Sequence, residues 1–187
     1  MPINNPLGNG IDPRVAQARA TKAAFKIPID PPNLAYPSVE FDFENPPFDQ
    51  AKFTVDLVNT MVANMGLGLA APQVGVDYRI IAIRGEPTML VMFNPKIVAT
   101  SDDIVEMEEG CLSFNGVYIK VKRPRVIRVR YAFANGEIRT DRFEGMSARI
   151  IQHEIDHLDG ITMFNRAHPV HREKGLRKLK QIKRRSK

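Results

Sequence analysis

Hydrophobic and polar positions change period several times along the chain, and the changes divide it into elements. From about residue 50 to 65, Phe53, Leu57, Met61 and Met65 recur every fourth position, with Val58 and Val62 in a second row beside them. This spacing predicts a helix with one buried face, ended by Gly66. Shorter apolar runs around Tyr78–Ile83, Met89–Phe93, Ile104–Met107 and Val117–Val121 predict strands. Ile127, Val129, Tyr131 and Phe133 then alternate with Arg128, Arg130 and Ala132, the period-two pattern of a strand with one wet face. Asn135-Gly136 predicts a hairpin turn into a partner strand over Glu137–Phe143. A second helix follows, with Ser147 as its candidate cap and Gly160 at its end. Strands lying between two helices, with hairpin-like links and no internal repeat, indicate an α+β domain rather than a doubly wound one.

The N-terminal region is different. Nine of the fourteen prolines fall within residues 1–50, which precludes long helices and central strands there. We expect a loosely ordered arm over 1–30, a catalytic domain over 31–167 that begins as extended chain wrapping the fold, and a basic C-terminal helix or tail over 168–187. With 187 residues and 43% hydrophobic content, one domain with one core suffices. The net charge of +6 is unevenly held: residues 172–187 carry nine Lys or Arg against one Glu, leaving −2 for the rest. Leu176, Leu179 and Ile182 give that segment an apolar edge. Its charge suits an anionic partner, RNA above all, and a solvated tail fits the same composition. No apolar run is long enough to span a bilayer, and the polar, proline-bearing N-terminus does not read as a signal peptide. A single cysteine, Cys111, excludes an internal disulfide framework and suits the reducing cytoplasm.

Candidate chemistry concentrates in three segments. His153-Glu154-Ile155-Asp156-His157 places two imidazoles one helical turn apart on one face, the spacing for binding one metal ion, with a glutamate beside them as proton carrier. Ile150, Ile151, Ile155 and Leu158 around them imply burial, where unpartnered polar groups are costly and a metal supplies the partner. Gly66-Leu67-Gly68-Leu69-Ala70-Ala71-Pro72-Gln73 follows a helix end with small residues that let backbone approach a ligand, although a tight turn accounts for the same composition. Glu109-Gly110-Cys111-Leu112-Ser113 carries the lone thiol just after a strand.

Together and in this order, these segments resemble the peptide deformylase family, whose patterns are a glycine-rich GxGxAAxQ, EGCLS and QHExDH. The resemblance runs from about Pro31 to Arg166 and includes Arg123-Pro124. It implies the deformylase α+β fold, with antiparallel sheets packed around a central helix carrying the histidines. It also implies removal of the formyl group from the N-terminal methionine of newly made polypeptides. On the residues themselves, Cys111, His153 and His157 would give a divalent metal three ligands and leave a position for water, whose pKa the metal lowers. Glu154 is the candidate general base and acid. The resemblance implies that Gln73 and the Leu112 N–H donate to the formyl oxygen. It also implies that Leu67, Gly68 and Gly110 pair with the peptide backbone, that Leu67 and Ile150 flank the methionine side chain, and that Asp156 pairs with Arg123. It favours Fe(II), while the ligand set also suits zinc, nickel or cobalt. Other expectations are a monomer acting on N-formylmethionyl nascent peptides, with the basic tail reaching ribosomal RNA.

Two features depart from the family pattern. Phe114-Asn115-Gly116 follows EGCLS where a residue and then proline are common, and Arg149 stands near the pocket rim where an apolar residue would be less surprising. His168 and His171 are expected to be bystanders. Two readings of other classes compete: a zinc peptidase with a later third ligand and a structural Cys111, and a nucleic-acid-binding domain with a structural metal. The EGCLS and glycine-rich segments argue against the first, and the absence of a second cysteine against the second.

Overall fold

The computed structural model describes residues 23–85 and 89–185. Helix α1, Gln50–Ala63, starts where the Asp49 carboxylate accepts the Lys52 N–H at 2.9 Å. Phe53, Leu57, Val58 and Met61 form its buried face. Its end differs from expectation. Met65, not Gly66, takes the left-handed conformation (φ 56°), and Met65 N–H to Val62 and Gly66 N–H to Met61 close the reversal. Gly66 is needed for space: a Cβ there would stand 2.8 Å from Leu112 Cδ1.

Among the described residues seven strands follow: β1 Gly68–Ala70, β2 Ile80–Arg84, β3 Met89–Thr100, β4 Ile104–Gly110, β5 Tyr118–Pro124, β6 Val126–Ala132 and β7 Ile138–Glu144. They form an antiparallel five-stranded sheet, order β1-β2-β3-β6-β7, and a separate β4–β5 ladder. Strand β3 is longer than its apolar run because Pro95 lies beyond the last β2 partner, Phe93, where the β6 register also shifts. There Asn94, at φ 50°, uses its side chain to bond the Phe41 N–H and carbonyl.

The central helix, α2, spans Gly145–Leu158 and is buried from Ala148 to its end. Ser147 does not cap it. Strand β7 runs up to Glu144, the Gly145 N–H is taken by the Arg125 carbonyl, and Ser147 falls inside the first turn without a capping bond. Gly160, at φ 71°, closes it through Gly160 N–H to His157 and Ile161 N–H to Asp156. The large sheet lies between the two helices. Ile81, Ile83, Met92, Val129 and Tyr131 meet Ile151, Ile155 and Leu158 of α2, whereas Ile80, Ala82, Val91 and Phe93 meet α1. This double coverage explains why β2 and the first half of β3 are continuous apolar runs.

A third cluster joins β5 to the C-terminal helices α3, Met163–Arg166, and α4, Pro169–Arg185, through Ile119, Val121, Phe164 and Leu179. The inner edge of α4 is Gly175, Leu179 and Ile182, not the expected Leu176, Leu179 and Ile182; Leu176 is 44% exposed. The i, i+4, i+7 progression puts Gly175 over Ile119, where a Cβ would come within 2.5 Å of its Cδ1. Of the expected arm over 1–30, residues 1–22 lie outside the described residues. The remainder is held: the Ala24 and Phe25 N–H groups bond Thr60 Oγ1, the Asp30 N–H bonds the Ser113 carbonyl, and the Asp30 carboxylate pairs with Lys183. Among the described residues no helix is long and apolar enough to cross a membrane.

Candidate metal centre

Two elements supply the candidate ligands. Helix α2 presents His153 and His157 one turn apart, their ring centroids separated by 4.8 Å. Cys111 follows β4 in an extended conformation and opens the short 3-10 turn Leu112–Phe114. Its sulfur lies 3.3 Å from His157 Nε2, and one ligand atom from each of the three residues lies within 4.8 Å of the others. His153 Nε2 is buried and has no hydrogen-bond partner. A thiol and two imidazoles converging on a buried, unpartnered nitrogen fit a divalent cation with nitrogen and sulfur ligands. The set holds three protein ligands among the described residues, and two of them, Cys111 and His153, line the cleft.

The network behind these ligands extends well beyond the Asp156–Arg123 pair. His153 Nδ1 lies 2.9 Å from Glu109 Oε2, which orients the ring so that Nε2 faces the site. Arg123 grips both Glu109 oxygens, at 2.6 and 2.8 Å, and reaches Asp156 at 2.7 Å through its remaining nitrogen. Arg166 holds the other Asp156 oxygen at 2.6 Å. Burial pushes the Glu109 carboxyl up, but Arg123 and His153 outweigh it and hold its pKa well below the usual carboxylate range. Burial likewise opposes a charge on His153, yet the neighbouring Cys111 sulfur and Glu109 carboxylate hold its pKa well above the usual value. The groups that favour a proton there favour a bound cation equally. His157 goes the other way, pushed down by burial and then by the charges of His153 and Arg123.

Glu154 borders the cleft beside the ligands, 4% exposed, with Oε2 unpartnered. Burial raises its pKa to about 7, which suits a group that accepts and then returns a proton near neutrality. Across from it, Gln73 is fixed by the Ala70 N–H on its Oε1, while its Nε2 donates to Ser113 Oγ at 3.0 Å and points at Cys111 Sγ from 3.4 Å. The cleft encloses about 340 Å³. Leu67, Gly68, Gly110, Leu112 and Ile150 line it. Two glycines are sterically required. A Cβ on Gly68 would collide with Glu154 Oε1 and lie 2.7 Å from Ile150 Cγ2, and one on Gly110 would lie 2.8 Å from the Tyr118 ring.

The fold thus gathers all twelve candidate residues around one cleft and its supporting shell. His157 sits behind the cleft wall, fully buried, and the His168–His171 pair stands outside the ligand group. Sequence reasoning gave Glu109 no role, although strand parity carried the signal: Val105, Met107 and Glu109 share one side of β4, and an acid on an apolar face needs a partner. Arg149 lines the cleft beside Met146 and Ile150, as expected, but as a buried side chain. It is 6% exposed, and its two terminal nitrogens make three hydrogen bonds. Met65, Tyr118 and Met146 at the cleft mouth also went unrecognised.

Comparison with known proteins agrees with this geometry. The family model described as polypeptide deformylase matches residues 27–173. A peptide deformylase of Natranaerobius thermophilus is 42% identical over 123 residues, 65% of this chain and 79% of that protein. Peptide deformylase 1 of a Nostoc species is 43% identical over 116 residues, 59% of this chain. That match spans 62% of the Nostoc protein, less than two thirds of its length. Among solved structures, a peptide deformylase from Synechococcus elongatus in complex with actinonin superposes with a TM-score of 0.81 at 32% identity, covering 90% of this chain and 94% of that one. One from Legionella pneumophila gives 0.78 at 32% identity, covering 87% and 96%.

Proposed function

This chain belongs to the polypeptide deformylase family, and from that premise we propose that it hydrolyses the N-formyl group from the N-terminal methionine of nascent polypeptides, releasing formate. The observation that carries this reading is the convergence of Cys111, His153 and His157 within 4.8 Å, with Glu154 lining the same cleft as Cys111 and His153. A divalent cation held by these three, Fe(II) in the active enzyme, supplies Lewis acidity and lowers the pKa of water at the site.

The protein's own groups do the rest. Glu154 takes the proton of the attacking water and delivers it to the departing amine, which leaves as a neutral group. The Gln73 amide and the Leu112 N–H donate to the formyl oxygen as negative charge develops on it. Donors preplaced for that charge are each worth roughly 10²–10³ in rate. Leu67, Gly68 and Gly110 pair with the peptide backbone as an added strand, and the absence of a side chain at the two glycines is what lets it approach. Leu67 and Ile150 receive the methionine side chain, whose burial contributes about 1.5–3 kcal/mol.

The enzyme acts as a monomer in the cytoplasm, where the Cys111 thiol stays reduced. The Lys- and Arg-rich outer face of α4 contacts ribosomal RNA, raising the local concentration of formylated chain ends. Formate release from formyl-Met-Ala-Ser, compared with the unformylated peptide, tests the activity. The metal-loaded protein should release one formate per peptide consumed, and a protein that released none would refute it.

A further inference from the structure

Helix α2 and the β4–β5 ladder supply the two halves of the metal site, the histidines from one and Cys111 from the other. The seam between them is polar rather than apolar: Gln152 bonds the Pro124 carbonyl, Asp156 bonds Arg123, and His153 bonds Glu109. Side-chain packing therefore leaves the spacing of the two halves to directional bonds. Arg149 makes three of these bonds. It lies one turn before His153 and donates from Nη1 to Glu109 Oε1 and to the Val121 carbonyl, both at 2.9 Å, and from Nη2 to the Val105 carbonyl at 2.5 Å. One guanidinium thereby reaches both strands of the ladder and the carboxylate that orients His153. A planar, always-charged fork suits this task, and a lysine ammonium does not.

We infer that Arg149 is a positioning residue of the metal centre, setting the separation of Cys111 from the two histidines and aligning Glu109 on His153 Nδ1. The inference rests on the metal-binding reading above. Arg149 differs from Arg123, which grips both Glu109 oxygens and Asp156 and whose loss dismantles the network. Removing Arg149 leaves Glu109 partnered by Arg123, so the fold survives while the alignment is lost. Arg149 also borders the cleft between Met146 and Ile150, so the space vacated by Arg149→Ala is open to a free guanidinium.

The test uses full-length protein loaded with cobalt(II): wild type, Arg149→Ala and Arg149→Lys. Affinity is read by chelator competition, geometry from the thiolate-to-cobalt absorption, and fold from circular dichroism and Tm. Arg149→Ala should bind cobalt about 10–100-fold more weakly, as loss of such supporting bonds does elsewhere, with a displaced absorption band and an unchanged fold. Millimolar methylguanidinium should restore both saturably, and Arg149→Lys should recover only part. Wild-type affinity and absorption in Arg149→Ala would overturn the inference, as would a loss that methylguanidinium leaves untouched. If Arg149→Ala does not fold, Arg149→Lys decides, a wild-type cobalt band there overturning the inference. A wild-type chain that took up no cobalt would overturn the metal reading as well.

Discussion

Glu109→Gln isolates the charge at the centre of the polar network without changing its shape. Glu109 is 5% exposed and meets Arg123 twice, Arg149 once and His153 once, at 2.6–2.9 Å. A glutamine keeps one acceptor oxygen but turns an NH₂ toward Arg123 Nη2 and His153 Nδ1, setting donors against donors. It also leaves Arg123 and Arg149 with Asp156 as the one remaining carboxylate in their shared network. Removing one partner from a buried ion pair costs about 3–5 kcal/mol. For a chain of this size that corresponds to a fall in Tm of roughly 6–20 °C. Loss of the carboxylate behind His153 should also weaken metal binding about 10–100-fold. Calorimetry of the chelated protein measures the first effect without contribution from metal, and competition with a chelator measures the second. A variant within about 1 kcal/mol of wild type, with unchanged metal affinity, would show that the network is solvated well enough to be dispensable, and the reasoning would fail.

Four further variants probe the site and the tail. Cys111→Ser should lose bound metal, measured by elemental analysis, because a neutral alcohol replaces a thiolate ligand. Glu154→Gln should retain metal and lose about 10²–10⁴ in kcat, since an amide carries no proton; loss of metal in this variant would make Glu154 a ligand instead. In Gly68→Ala the new methyl meets the Glu154 carboxylate and Ile150, and displacing that carboxylate should lower kcat about 10–100-fold in steady-state kinetics. Wild-type kinetics would mean that Glu154 moves aside freely. Lys174 and Lys178 are exposed on α4, so Lys174→Glu with Lys178→Glu should abolish salt-sensitive cosedimentation with ribosomes while leaving peptide deformylation unchanged. Equal cosedimentation of the two proteins at low salt would remove the RNA contact.

Local periodicity made part of this protein legible without coordinates. The i, i+4 spacing of His153 and His157 is a property of any helix, so their common face followed from the sequence, as did the apolar row of α1 and the alternation in β6. The ends of elements were less legible where tertiary packing set the choice. Gly66 has the residue type of a helix end, but its smallness serves the contact with Leu112, and the left-handed turn falls to Met65. Leu176 completes an apolar pattern on paper, yet α4 docks through Gly175 because Ile119 requires a close approach there.

The supporting network depended on tertiary structure altogether. Glu109 meets His153 across 44 residues and Arg149 across 40. Nothing in a periodicity says which buried acid a buried base will find. Such pairings are decided when β4–β5 and α2 pack against each other, since burial removes the water that would otherwise satisfy each charge and leaves only the partners that the packed elements bring within reach. Sequence therefore determined which residues are candidates for the chemistry, and packing determined what holds them in register.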